Sequence, residues 1–125
     1  MITRSGSTGI VSIVPEAWEG YAMSEHIIRI VPDKTKINPY YLLGFLRSEY
    51  CQEIIRKGVF GSVIDEIDPN FIGKIKIPIP TSQKIYNEII EPIQKAEQAR
   101  NEAILMTETS LKNLNTKLSK EFSTA

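Results

Sequence analysis

The apolar positions follow three different rhythms along the chain, and each rhythm predicts a different kind of element. Ile2 and Thr3 are extended, Ser5-Gly6-Ser7-Thr8-Gly9 is a turn whose two glycines supply left-handed backbone, and Ile10-Val11-Ser12-Ile13-Val14 is a β-branched strand ended by Pro15. Together they predict a hairpin. Glu16 to Tyr21, with the only tryptophan, Trp18, reads as a loop. His26-Ile27-Ile28-Arg29-Ile30-Val31 predicts a third strand closed by Pro32, and its nearly continuous apolar run predicts a central, well-covered position.

The rhythm then changes to helical. Asn38-Pro39 is a start signal, with Asn as N-cap and Pro in the first turn. Tyr41, Leu42, Phe45, Leu46, Tyr50, Ile54 and Ile55 keep one apolar face up to a capping Gly58. Ser62 to Ile67 is a short strand, Asp68-Pro69-Asn70 caps one helical turn carrying Phe71 and Ile72, and Ile75 to Pro80 is an edge strand or an extended connector.

From about Thr81 to Phe122 there is no Gly and one Pro, Pro92, among many Glu, Gln, Lys, Ala and Leu. Ile104, Leu111 and Leu118 recur every seven residues, with Leu114 between them and Ala96, Ala103 and Met106 close to the same side. Thirty helical residues from Pro92 would span roughly 45 Å at about 1.5 Å per residue. A globule of this size is nearer 30 Å across, so the helix projects or finds a partner. Pro92 removes a backbone donor, which predicts a kink near Glu88 or a break with the helix restarting at Pro92. The predicted fold class is mixed α/β (α+β): a small β-rich globule with one or two packed helices over residues 1–80, then a long helix over 81–125 that pairs as a coiled coil.

Composition narrows the function. The 125 residues are 42% hydrophobic and 24% charged, with 15 basic and 15 acidic residues, so bulk charge favours no partner. One cysteine, Cys51, excludes an internal disulfide and fits a reducing cytoplasm. No apolar run approaches the ~20 residues of a membrane span. A cytoplasmic protein is expected.

Catalytic constellations are weak. His26 is the only histidine, and one His with one Cys makes no zinc cluster, so no metal or cofactor is expected. Glu25 and His26 beside Ser24 would point to opposite faces if they continue a strand, which argues against a triad. Asp65, Glu66 and Asp68 read as a solvated turn before a helix cap. The glycine-bearing turn lacks the lysine and spacing of a phosphate loop. That turn does place Arg4, Ser5, Ser7 and Thr8 on one projecting loop, and Arg56-Lys57-Gly58-Val59-Phe60-Gly61-Ser62 sets two cations before two glycines and a hydroxyl. Such groups suit phosphate contacts and guanine readout, though ordinary solvated charges at a helix end and a hairpin have the same composition.

Five segments in order resemble the target-recognition domain of the DNA specificity subunit of type I restriction-modification systems: Ile2 to Gly9, Ser24 to Ile30, Asn38 to Leu42, Gly61 to Ile67, and Lys76 to Pro80 leading into a long helix. The resemblance is to the C-terminal half of one such domain plus its spacer helix. A fused recognition module of a related restriction-methylation enzyme has nearly the same pattern. The resemblance implies a non-catalytic subunit that reads part of a split target in double-stranded DNA. Its helix acts as a ruler between half-sites. It implies docking to methyltransferase subunits and, through them, to restriction subunits. The residues expected near DNA are Arg4, Ser5, Ser7, Thr8, Lys57 and Ser62. Those expected in a homodimer seam are Ala96, Ala103, Ile104, Leu111, Leu114 and Leu118. A second reading stays open: a helical assembly element that docks on partner subunits without reading DNA.

Overall fold

A computed structural model describes residues 1–61 and 63–122. Strand β1 (Ile2–Thr3) pairs antiparallel with β2 (Ile27–Ile28) on one side and bridges Val11 on the other. The predicted hairpin is present. The Thr3 N–H donates to the Ile10 carbonyl at 3.0 Å, the Gly9 N–H to the Thr3 carbonyl at 2.9 Å, and the Ile10 N–H to the Thr3 hydroxyl at 2.9 Å. Gly6 and Gly9 take φ of 74° and 82°, and a Cβ on Gly9 would press on Ile55 at 3.1 Å. The turn is therefore glycine-dependent twice over, for conformation and for packing.

The expected third strand is shorter and differently placed. Only Ile27–Ile28 pair, and they flank β1, so the central, fully buried residue is Ile2. Val31 is 74% exposed. A continuous apolar run predicts two covered faces, but this segment leaves the sheet after Ile28.

Helix α1 (Pro39–Arg47) starts as predicted, with the Asn38 side chain accepting the Tyr40 N–H at 2.8 Å. The expected continuous helix to Gly58 is broken at Ser48, which is extended and caps both neighbours. Its hydroxyl donates to the Phe45 carbonyl at 2.6 Å and accepts the Cys51 N–H of α2 (Glu49–Lys57). The break turns α2 so that Cys51 and Ile55 enter the core, and Tyr50, on the predicted apolar face, is left 66% exposed. Gly58 does close α2, in right-handed conformation.

A second small hairpin follows, β3 (Val59–Phe60) with β4 (Glu66–Ile67), so of the strand expected over Ser62 to Ile67 the described residues pair only at Glu66–Ile67. Asp68 caps α3 (Pro69–Gly73) through the Asn70 N–H at 2.9 Å. Residues 75–80 are an extended connector rather than a strand. The Tyr41 hydroxyl donates to the Pro78 carbonyl there, and burial pushes the Tyr41 phenol above its ordinary pKa. The core gathers Ile2, Val11, Ile28, Leu42, Leu43, Phe45, Leu46, Cys51, Ile55, Ile67 and Ile72.

Helix α4 runs unbroken from Gln83 to Phe122, 40 residues with Pro92 inside it, so of the two outcomes expected, a kink near Glu88 or a break, the break does not occur. Its length is roughly 60 Å. Packing on both sides of the proline holds it: Ile90 is buried, and Ile93 lies so close to α1 that a Cβ on Gly44 would sit 2.4 Å from its Cδ1. The Tyr86 ring stacks against Tyr41 at 4.7 Å, and its hydroxyl accepts the Asn38 N–H at 3.0 Å. The fold is thus small antiparallel sheets and short helices with one long terminal helix, the mixed α+β class expected.

Candidate nucleic-acid interface

After β1 the chain changes partners, and this organises one end of the globule. The Arg4 N–H still bonds the His26 carbonyl at 2.7 Å, while its own carbonyl accepts from Ile67 at 2.9 Å. Ser5 then bridges Glu66, and the Gly6 N–H donates to the Asp65 carbonyl at 3.1 Å. The glycine turn is thereby fastened to β2 on one side and to the β3–β4 hairpin on the other. Phe60 pairs with Glu66, which bridges Ser5, so Phe60 and Ser5 are two strand spacings apart, roughly 10 Å. Lys57 lies three residues before Phe60, hence within about 20 Å of Ser5.

The side chains expected near DNA meet different fates. Arg4 is partly exposed; its guanidinium is 3.8 Å from the Glu66 carboxylate and 3.5 Å from the Glu25 carbonyl, and its Nε has no hydrogen-bond partner among the described residues. The Ser5 hydroxyl is 2.6 Å from His26 Nδ1. Ser7 is exposed, and its carbonyl accepts from the Thr3 hydroxyl; Thr8 is half-buried. Lys57 is exposed and, with Glu53 and Arg56, lines a shallow depression at the end of α2. Ser62 lies outside the described residues. Sequence reasoning missed His26 as a member of this surface, and also the exposed apolar side chains Phe60, Val63 and Ile64 of the β3–β4 hairpin. Both are visible only once Ser5 is paired with Glu66.

Glu25 and His26 do share a site, contrary to the strand argument, because they form a turn: Glu25 Oε1 is 3.7 Å from His26 Nε2. The resulting Ser5–His26–Glu25 row is not a hydrolytic site in character. Its ring and carboxylate are 64% and 80% exposed, whereas a nucleophile relay works in a dry, preorganised pocket. No group of His, Cys, Asp and Glu able to hold a metal occurs among the described residues, and no described helix is long and apolar enough to cross a membrane.

The long helix is organised by one heptad line, Ile90, Glu97, Ile104, Leu111 and Leu118, with Ile93, Arg100, Thr107 and Leu114 three residues after the first four and Tyr86 four residues before Ile90. The first half of this seam lies on the globule. Ile90 and Ile93 pack there, the Glu97 carboxylate meets Arg47 at 2.7 Å, and Ile104 lines a cleft with Ile13, Val14, Pro15 and Tyr40. Beyond it the same seam is uncovered, with Leu111, Leu114 and Leu118 at 53%, 50% and 40% exposure. Ala96 and Ala103 are exposed beside the seam.

No curated protein and no solved structure matches the chain. A family model described as the type I restriction modification DNA specificity domain matches residues 1–106, and the chain belongs to this family of non-catalytic subunits that recognise DNA sequence in type I restriction-modification systems.

Proposed function

We propose that residues 1–80 read one part of a split target in double-stranded DNA and that the helix from residue 81 docks the partners that act on it. Arg4, Ser5, Ser7 and Thr8 from the glycine turn, with Lys57 and Ser62 from the second loop, contact the duplex. Leu111, Leu114 and Leu118 form a seam with the helix of a second copy, and the exposed Ala96 and Ala103 flank it together with the uncovered part of Ile104. The methyltransferase subunits, and through them the restriction subunits, assemble on the paired helices in the cytoplasm. The observation that carries this reading is the Ser5–Glu66 bridge, which holds the turn against the hairpin that follows Lys57. A rigid pair of loops is what base readout needs, since phosphate contacts fix register and only well-placed side chains reach base edges.

A specific observation favours the second reading. Arg4 is engaged by Glu66, and Glu25 and Asp65 flank the same turn, so the loop's positive charge is locally balanced. A helical assembly element that no longer reads DNA would tolerate this.

Selection of bound sequences from a randomised duplex library separates the two. Specific readout by a dimer enriches two short motifs at one fixed separation, and a monomeric half-reader enriches one. No enrichment, with or without added methyltransferase subunits, leaves the assembly element as the function.

A further inference from the structure

The seam of α4 is apolar at every layer that faces the globule except one. Glu97 and Arg100 occupy consecutive seam positions where Ile90 and Ile93 precede them and Ile104 follows. The Glu97 side chain is only 10% exposed and is held by two guanidiniums, Arg47 of α1 at 2.7 Å and Arg100 of α4 at 3.1 Å. Each arginine is tied in turn to the hairpin strand. Arg47 Nε donates to the Val11 carbonyl at 2.9 Å, and Arg100 donates to the Ser12 hydroxyl at 3.1 Å. One turn further along, the Asn101 side chain accepts the Glu16 N–H at 3.0 Å. Three separate parts of the globule thus converge on one level of the helix.

That level lies one turn before α4 leaves the globule at Ile104. The apolar layers below it would let a helix rock, because apolar contact is non-directional, whereas charge-assisted hydrogen bonds to planar guanidiniums fix an orientation. A single polar layer in an apolar helix seam sets register at some cost in stability. From Ile104 to Phe122 the helix extends roughly 27 Å, so a tilt of about 10° at its base moves its tip by about 5 Å, more than the ~3.4 Å rise of one base pair.

We infer that Glu97, gripped by Arg47 and Arg100, is the positioning residue that fixes the departure angle of α4 and thereby the separation between the two DNA half-sites. The spacing part rests on the function proposed above, in which paired helices bridge two recognition globules. Glu97 touches no nucleotide. Removing its carboxylate leaves two guanidiniums facing each other across the same gap.

The test is made on the full chain with nitroxides on Glu53→Cys and Lys117→Cys, both exposed positions. The labelled chain is diluted with unlabelled chain so that only the intramolecular distance is read. Native Cys51 is fully buried with its thiol pKa raised, and so does not compete for the label. Wild type gives one narrow distance distribution; Glu97→Ala broadens it, and Glu97→Gln, which keeps the shape and some hydrogen bonding, broadens it less. In the duplex-library selection the variants recover neighbouring gap lengths alongside the wild-type gap, with affinity for an isolated half-site unchanged. If Glu97→Ala does not fold, Glu97→Gln carries both measurements. An unchanged distance distribution overturns the inference, and so does a broadened one accompanied by the wild-type gap. A wild-type chain that selects no paired motifs sinks the proposed function and the spacing consequence with it. The departure angle is still decided by the distances.

Discussion

The two halves of α4 have one seam and opposite circumstances. Between Tyr86 and Ile104 the seam lies against α1 and the first hairpin, where Ile90 is buried and the Tyr86 hydroxyl accepts a backbone N–H at 3.0 Å. Between Leu105 and Phe122 it faces solvent, although Leu111, Leu114 and Leu118 continue the same positions. An isolated helix of that length is marginal in water, because most helical stability in proteins comes from packing an apolar face. The comparison teaches that one seam is covered where the globule lies against it and carries exposed leucines beyond; the function proposed above gives that free half a second surface. In the proposed function that surface is the helix of another copy.

The strongest way to break this comparison is to charge the free half. Leu111→Asp with Leu118→Asp is expected to weaken self-association roughly a thousandfold, since the pair of helices loses four leucine contacts, each worth about 1 kcal/mol because the side chains are half exposed before pairing. Unfolding of the monomer should move by no more than about 0.5 kcal/mol, because both side chains are already half exposed. Sedimentation velocity and denaturant titration read the two effects. The converse substitution sharpens it: Ile90→Ala should cost about 2–4 kcal/mol in denaturant titration, whereas Leu114→Ala costs the monomer less than about 0.5 kcal/mol. Gly44→Ala tests the closest approach of the covered half. Its Cβ would meet Ile93 at 2.4 Å, and an overpacking loss of about 1–3 kcal/mol is expected. Smaller again is Arg4→Ala, which in the proposed function lowers affinity for a selected duplex by about 1–2 kcal/mol and reduces the salt slope by roughly one. Folding stability should fall by less than about 1 kcal/mol, since the pair with Glu66 is more than a third exposed on each side.

What was legible in the sequence was local. Asn38-Pro39 and Asp68-Pro69 declare their helices because a cap is a contact between a side chain and an amide two residues away. The Ser5–Gly9 turn declares itself through its glycines for the same reason. The break at Ser48 was not legible, because apolar spacing runs through it from Leu46 to Tyr50 and only the core's demand for Cys51 and Ile55 turns α2. Glu25 and His26 adjoin an apolar run that predicts strand alternation, yet they lie in a turn just before β2, where alternation does not apply. The loop cluster depends on the long-range bridge from Ser5 to Glu66, which no local pattern carries. The seam was visible from Ile104 onward because its members are apolar. Its upstream half was hidden because Glu97 and Arg100 are charged, and a reading by hydrophobicity passes over them.

Hydrogen exchange along α4 at increasing protein concentration tests the central claim most directly. Amides of residues 86–101 should be protected equally at every concentration, because the globule covers that half. Amides of residues 105–122 should exchange quickly in dilute solution and become protected as concentration rises, and Leu111→Asp with Leu118→Asp should abolish the gain. Rapid exchange of residues 105–122 at all concentrations, or full protection in the most dilute sample, would contradict the account.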